Sequence, residues 1–412
     1  MHLVYSNAQV TIIAAAGNDV TFGLPGVSRR SRLTEVTMPL GPCLLSSLPY
    51  TSNRLLRESK WMTRAWTLQE ATFSWRRLIF TEEHLFLQCR RTEFSDSSRV
   101  LCERYPATRS NRTPPPKWKP NISFGADDDV EGLVRAIEQY SLRDLTYDDD
   151  VLRGLQGILS AYESRGFSHY WGVPSLNLHL RASNNQNENE KRNDIDSFVF
   201  GLCWRPKELC KRRLHFPTWS WTGWKGSVSY DWFYHKEQLM KSTDVEVSLE
   251  KKNGEHLSWV EISQSHNRSA LAPVLTSFIW ITAQCIPLTL NKLRHENIRN
   301  EKFCNAVATT TCGDAISWAA GIIQSQGSDD ESIYAEKKKG LHTGVLLAPR
   351  EVAPGGQYYP YVLIVEDKVD WVERIGFLVI NGYSMGIRSE EAASDPKIIE
   401  LLPWERRTIR LG

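Results

Sequence analysis

The stretch SKWMTRAWTLQEATFSWRRLIFTEEHLFLQCR, residues 59–90, carries two hydrophobic periods in succession. In its first half Trp61, Ala65, Leu68 and Thr72 recur at helical spacing. Ser59 stands where an N-cap hydroxyl belongs, although Met62 is not the acid of a capping box. In its second half two apolar-rich runs flank Glu82, Glu83 and His84, which predicts a β-hairpin with a short polar loop. A helix and a hairpin built as one unit set the fold class as α+β.

Working outward toward the N-terminus, VYSNAQVTIIAAAGNDVTFGLPG (residues 4–26) begins like the tail of a helix. It continues as VTIIAAAG, an apolar run ended by Gly17 and Asn18. Such a run predicts a strand buried on both faces, which needs partner strands and so places this segment in the middle of a domain.

Toward the C-terminus the composition changes. YPATRSNRTPPPKWKP (105–120) is too rich in proline and polar residues for regular structure, and a linker is expected over 91–140. Order returns in YSLRDLTYDDDVLRGLQGILSAYESRG (140–166), where Val151, Leu155, Ile158 and Tyr162 form a helical stripe with Thr146 as N-cap. Asp148, Asp149 and Asp150 fall in its first turn, where acids complement the helix dipole; the glycine and distal glutamate of a calcium loop are missing. RASNNQNENEKRNDID (181–196) is a polar insertion expected to be flexible over about 181–195.

From SFVFGLCW (197–204) to the end, short apolar runs alternate with polar turns, so a mainly β region with a few helices is expected over 141–412. Within it FPTWSWTGWKG (216–226) alternates Trp219 and Trp221 with Thr218, Ser220 and Thr222. A strand there would put both indoles on one face and the hydroxyls on the other. Such a ladder can stack sugars or bases, but a pair of this kind is read as core, packed against the helix around Leu155.

Composition excludes several classes. Fifty basic residues face 48 acidic ones, a balance that points to neither nucleic acid nor an anionic membrane. The basic run Lys337–Lys339 is read as a solvated loop. Fifteen tryptophans predict large aromatic cores. Eight scattered cysteines without a CxxC pair disfavour a disulfide framework, and Cys203, Cys210 and His215 lack a fourth ligand for zinc, so no metal is expected. Neither a membrane-length apolar run nor a leader pattern is found, and a reducing, cytoplasmic setting is expected, with the sequon at Asn111 idle. Phosphate-loop, dinucleotide, nucleophile-elbow and HExxH motifs are all missing, and no cofactor is expected.

Four motifs in order, YSNAQVTIIAAAG (5–17), RAWTLQE (64–70), SLRDLTYDDDVLRGLQGIL (141–159) and FPTWSWTGWKG (216–226), resemble the fungal heterokaryon incompatibility (HET) domain family. The resemblance implies that residues 1–90 are the C-terminal half of a TIR-like α/β HET domain, truncated before its SYVWG-like and WIDALCIDQ-like segments. It also implies that 141–412 is the region that commonly follows such a domain. Upstream strands paired with VTIIAAAG are then expected, and little or no activity from this chain alone. Implied roles are fungal allorecognition and programmed cell death, through protein partners or self-association.

HET domains are similar to TIR domains, some of which hydrolyse the nicotinamide–ribose bond of NAD with one helical glutamate in a W-x-x-x-E context. Trp66 and Glu70 have that spacing. The resemblance thus implies Glu70 as catalytic carboxylate, Trp66 as pocket wall and NAD as substrate. The alternatives are a structural Glu70 paired with Arg64 or another arginine, and a non-enzymatic interaction scaffold.

Overall fold

The computed structural model describes residues 2–27, 30–33, 37–46, 52–89, 93–96, 130–175, 197–230, 244–264, 272–292, 303–309, 311, 315–322, 341–348, 361–379 and 402–412. It divides into two bodies, Met1–Tyr162 and Glu163–Gly412. The proline-rich part of the expected linker, the insertion at 181–196 and Lys337–Lys339 lie outside the described residues. The end of the expected linker is instead a helix, Val130–Ser141, which belongs to the first body.

In the first body α1 (His2–Asn7) precedes β1 (Thr11–Ala14). A small hairpin follows, β2 (Thr37–Leu40) with β3 (Cys43–Ser46), and then three short helices, α2 (Ser52–Glu58), α3 (Lys60–Thr63) and α4 (Thr67–Phe73). They lead into β4 (Arg76–Phe80), β5 (Leu85–Cys89) and β6 (Glu93–Ser95). The sheet order is β1-β4-β5-β6. β1 runs parallel to β4, because the helical crossover returns the chain to the same end of the sheet, while β4–β5 is the expected hairpin.

The sheet buries one face. Ile13, Ile79 and Phe86 line up on it, as do the cross-strand partners Arg77 and Gln88. On the other face Ile12 is 58% exposed, against 1% for Ile13. The expectation of a strand buried on both faces is therefore corrected. β1 lies at the edge of the described sheet, and its alternation is that of a strand covered on one side.

The helical stripe of residues 59–73 is buried as its spacing requires, at Trp61, Ala65, Leu68 and Thr72, and Ser59 Oγ accepts the Met62 amide. It is two helices rather than one. Arg64 is extended, and residues 63–65 pair in parallel with a segment from much later in the chain: Asp144 N donates to Thr63 O (2.6 Å) and Ala65 N to Asp144 O (2.9 Å). That segment joins α5 (Val130–Ser141) to α6 (Gln156–Glu163), between which Asp148–Asp150 form a 3-10 turn. Val151, Leu155, Ile158 and Tyr162 are all buried, as expected. Tyr147, not Thr146, occupies the cap of the 3-10 turn.

The second body is dominated by strands. Its central strand, Leu275–Lys292, is 18 residues long and changes partners along its length. The first half pairs with Glu246–Lys251 and Glu405–Leu411, the second with Phe303–Thr309 and Leu341–Ala348. From there the pairings run through Ala315–Ile322, Val372–Val379 and Tyr361–Asp367, and return to Leu341–Ala348. Six antiparallel strands thus close into a ring. Ile286, Leu288, Leu290, Ala306, Val362, Ile364 and Leu378 fill a single apolar cluster, with Leu402 added from outside the ring.

Two local expectations are overturned here. Residues 197–202 are helical rather than a strand, with Phe198, Val199 and Leu202 buried. The tryptophan run is a turn followed by a 3-10 helix, Trp221–Gly223, capped by the Ser220 hydroxyl. Its hydroxyls do not face the other way: Ser220 and Thr222 are as buried as Trp219 and Trp221, and both bond the Trp171 carbonyl. Each indole N–H has a backbone carbonyl to meet, Trp219 at Ser277 (3.0 Å), Trp221 at Gly172 (2.7 Å) and Trp224 at Thr218 (2.8 Å). The core reading holds. Among its ring partners, Tyr170 stacks on Trp219 and Phe198 meets it edge-on.

Candidate functional site

Glu70 lies in the first turn of α4, with its carboxylate partly buried. The Trp61 indole N–H donates to its Oε2 at 3.2 Å, and the Tyr5 phenol of α1 lies within electrostatic reach of the same carboxylate. Burial, and then the charge of Glu70, push the Tyr5 phenol up to about 12. The two groups come from different helices, α1 and α3, and both act on α4. Packing of α1 on α4, with the His2 and Phe73 rings 5.5 Å apart, brings them there.

The other end of the helix is tied to the sheet. The Ser74 hydroxyl lies 2.5 Å from the Glu70 carbonyl and 2.7 Å from Thr11 Oγ1 at the start of β1. Next to Glu70, the buried Gln69 amide donates to the Gly154 carbonyl at 2.6 Å. The helix is therefore held on three sides, by α1, by β1 and by the turn that precedes α6.

One cation stands behind this arrangement. Arg143 is 7% exposed, and one of its guanidinium nitrogens donates to Thr67 Oγ1 (2.8 Å) and to the Arg64 carbonyl (3.1 Å); another meets Met62 Sδ at 3.3 Å. Burial brings its pKa down to about 10, while the Glu70 charge acts in the opposite sense, so Arg143 keeps its charge at neutral pH. The arginine linked to Glu70 is thus Arg143. Arg64 is exposed and offers its carbonyl, not its side chain, to the network.

Trp66 is partly buried at the N-cap of α4, makes no side-chain cap bond and accepts the Gln69 amide through its carbonyl. The indole that bonds the acid is Trp61, nine residues before it. By spacing alone Trp61 belongs to a packing stripe, and no pattern pairs Tyr5 or Arg143 with Glu70. For Tyr5 a weak local signal exists, since it opens the YSNAQVTIIAAAG motif. Arg143 likewise stands in the SLRDLTYDDDVLRGLQGIL motif, but nothing there points to Thr67, 76 residues before it.

Elsewhere, Cys203 and Cys210 are buried thiols whose pKa values burial raises, and Asp150 meets Arg153 at 3.4 Å. No cluster of His, Cys, Asp and Glu among the described residues is arranged to hold a metal ion. No described helix is long and apolar enough to cross a membrane.

Comparison with known proteins gives one match: residues 1–70 fit the family model for heterokaryon incompatibility protein (HET). No curated protein and no solved structure matches the chain. The matched segment ends on Glu70 itself.

Proposed function

We propose that this chain, whose residues 1–70 form a heterokaryon incompatibility segment, acts in fungal self/non-self recognition, with its first body as the effector and Glu70 as the residue on which the output depends. The observation that carries this reading is the Trp61 indole bond to one acid at the end of the family segment, an acid whose charge also acts on Tyr5 and on the buried Arg143. The second body, with its closed ring of strands, is the part through which a protein partner or a second copy is sensed in the cytoplasm.

Two outputs follow from one carboxylate. In the enzymatic form, similar to NAD-cleaving TIR domains, Glu70 engages the ribose hydroxyls. It stabilises the positive charge that develops at the anomeric carbon as the C–N bond breaks and its electron pair leaves with nicotinamide. Water then adds at that carbon and releases a proton. The partial exposure of Glu70 favours this reading, because a sealed acid could not meet a substrate. In the scaffold form Glu70 acts only inside the protein, by fixing α3 and α4 to one another; its internal donor, Trp61, favours this.

The deciding experiment measures NAD consumption by the purified chain and the viability of fungal cells expressing it, each with Glu70→Gln. Loss of both NAD cleavage and killing supports the enzymatic form. Killing without NAD cleavage, lost in the variant, supports the scaffold form. Killing that persists in a well-folded Glu70→Gln protein overturns the assignment of Glu70.

A further inference from the structure

We infer that Arg143, supplied from outside the family segment, is a positioning residue for Glu70, holding the carboxylate in place through Thr67 and the α3–α4 junction. This inference rests on the reading of Glu70 as the residue that carries the output of the first body. It also moves the boundary of the functional unit: a segment ending at residue 70 has the acid but not the group that sets it.

The geometry is a relay. Arg143 bonds Thr67 Oγ1 and the Arg64 carbonyl. The Thr67 hydroxyl in turn has two carbonyls within reach, Trp61 O and Arg64 O, both at 2.7 Å. Trp61 sends its indole N–H to Glu70. The guanidinium therefore fixes both the turn that carries Trp61 and the first residue of the helix that carries Glu70. Thr67 and Glu70 are three apart and so share a helix face.

Charge gives the arrangement its direction. A guanidinium with so little exposure is costly unless an anion offsets it, and the acid whose charge acts on Arg143 is Glu70. Tyr140, the other group acting on it, is occupied with the Val151 carbonyl at 2.8 Å. Backbone pairing holds Arg143 in register, through Asp144 N to Thr63 O and Ala65 N to Asp144 O. Lysine cannot reproduce this, because a point charge lacks the planar fork that reaches a hydroxyl, a carbonyl and a thioether together.

The test uses the full chain with ¹⁵N-labelled tryptophan, the Trp61 indole signal being assigned by its loss in Trp61→Phe. Glu70→Gln defines the position of that signal when the acceptor loses its charge. Arg143→Lys is expected to move the Trp61 signal part of the way to that position, and Arg143→Gln further. Arg143→Gln added to Glu70→Gln is expected to move it no more. A Trp61 signal unchanged in Arg143→Lys, or in a folded Arg143→Gln, overturns the inference, and the lysine variant decides it if the glutamine variant does not fold. Activity is read in parallel. If Glu70→Gln stays active while the signals shift as expected, the functional reading of Glu70 falls and the coupling stands; if the signals do not shift but Glu70→Gln is inactive, the reverse holds.

Discussion

The indole nitrogen of Trp61 lies 3.2 Å from Oε2 of Glu70, and this bond spans the break between α3 and α4. A charged acceptor strengthens such a bond, so the acid is tied to the geometry of the break. Replacing Glu70 by glutamine keeps an oxygen for the Trp61 donor and removes the charge. The expected stability loss is modest, about 1–2 kcal/mol, together with loss of whatever activity the first body has. Thermal melts run beside NAD and viability assays check this; a large drop in melting temperature with activity retained would contradict it.

Tyr5 supplies a pH signature for the same site. Its phenol is raised from 10.0 to about 12 in the folded state, so the neutral form is favoured by folding. The stabilisation is complete below pH 10 and is lost as pH rises through about 12. Glu70→Gln removes one cause of the shift and should bring the phenol back toward its ordinary value. The check is the alkaline absorbance titration, taken as the difference between each protein and its Tyr5→Phe counterpart.

In the second body, Arg410 grips Glu250 with two nitrogens, at 2.7 and 2.6 Å, while the Trp280 indole donates to the same acid at 2.9 Å. The hydrogen bond from Arg410, first among several causes, lowers the Glu250 pKa below 4.5. A depressed carboxylate contributes stability above its unfolded value and loses it as pH falls through the folded one. Urea unfolding between pH 6 and pH 3, conditions on the order of one unit either side of ordinary carboxylate titration, should show a smaller acid-induced loss in Glu250→Gln than in wild type.

The tryptophan run should behave as core. Trp219→Ala or Trp221→Ala removes a fully enclosed indole and leaves a carbonyl, of Ser277 or of Gly172, without its donor. Each is expected to cost about 3–5 kcal/mol, read by denaturant titration. Wild-type stability in both variants, with a partner or ligand lost instead, would revive the exposed-ladder reading.

Arg374 is a fully buried cation of the second body. It donates to the Leu202 and Trp204 carbonyls at 3.0 and 2.6 Å and to the Tyr361 hydroxyl at 3.1 Å, with its guanidinium 3.9 Å above the Trp204 ring. Arg374→Lys keeps the charge but loses the fork and the stack, and is expected to destabilise by about 3 kcal/mol or more. A melting temperature within a degree or so of wild type would refute this, since ~1 kcal/mol alone moves the midpoint by several degrees in a small domain.

What the sequence determined by itself was local. Burial of Trp61, Ala65, Leu68 and Thr72, the Ser59 cap, the hairpin of residues 76–89, the strands at 277–290 and 361–367 and the buried tryptophans all follow from spacing and residue type, because each depends on neighbours a few positions away. The HET resemblance was legible for the same reason, as short motifs in order, and the family match covers residues 1–70. Tertiary structure alone decided the rest. The helix of residues 60–73 breaks because Asp144 inserts its backbone at residues 63–65. The tryptophan run is a 3-10 turn because buried carbonyls elsewhere accept its indole N–H groups, and one long strand closes a ring because its two halves meet different partners. The site divides in the same way: the resemblance pointed to Glu70 through its W-x-x-x-E context, but Tyr5 and Arg143 come to act on it only through packing. Hydrogen bonds and charge act across space, and a linear pattern does not record which distant donor the fold brings within 3 Å of an acid, the usual reach of such a bond.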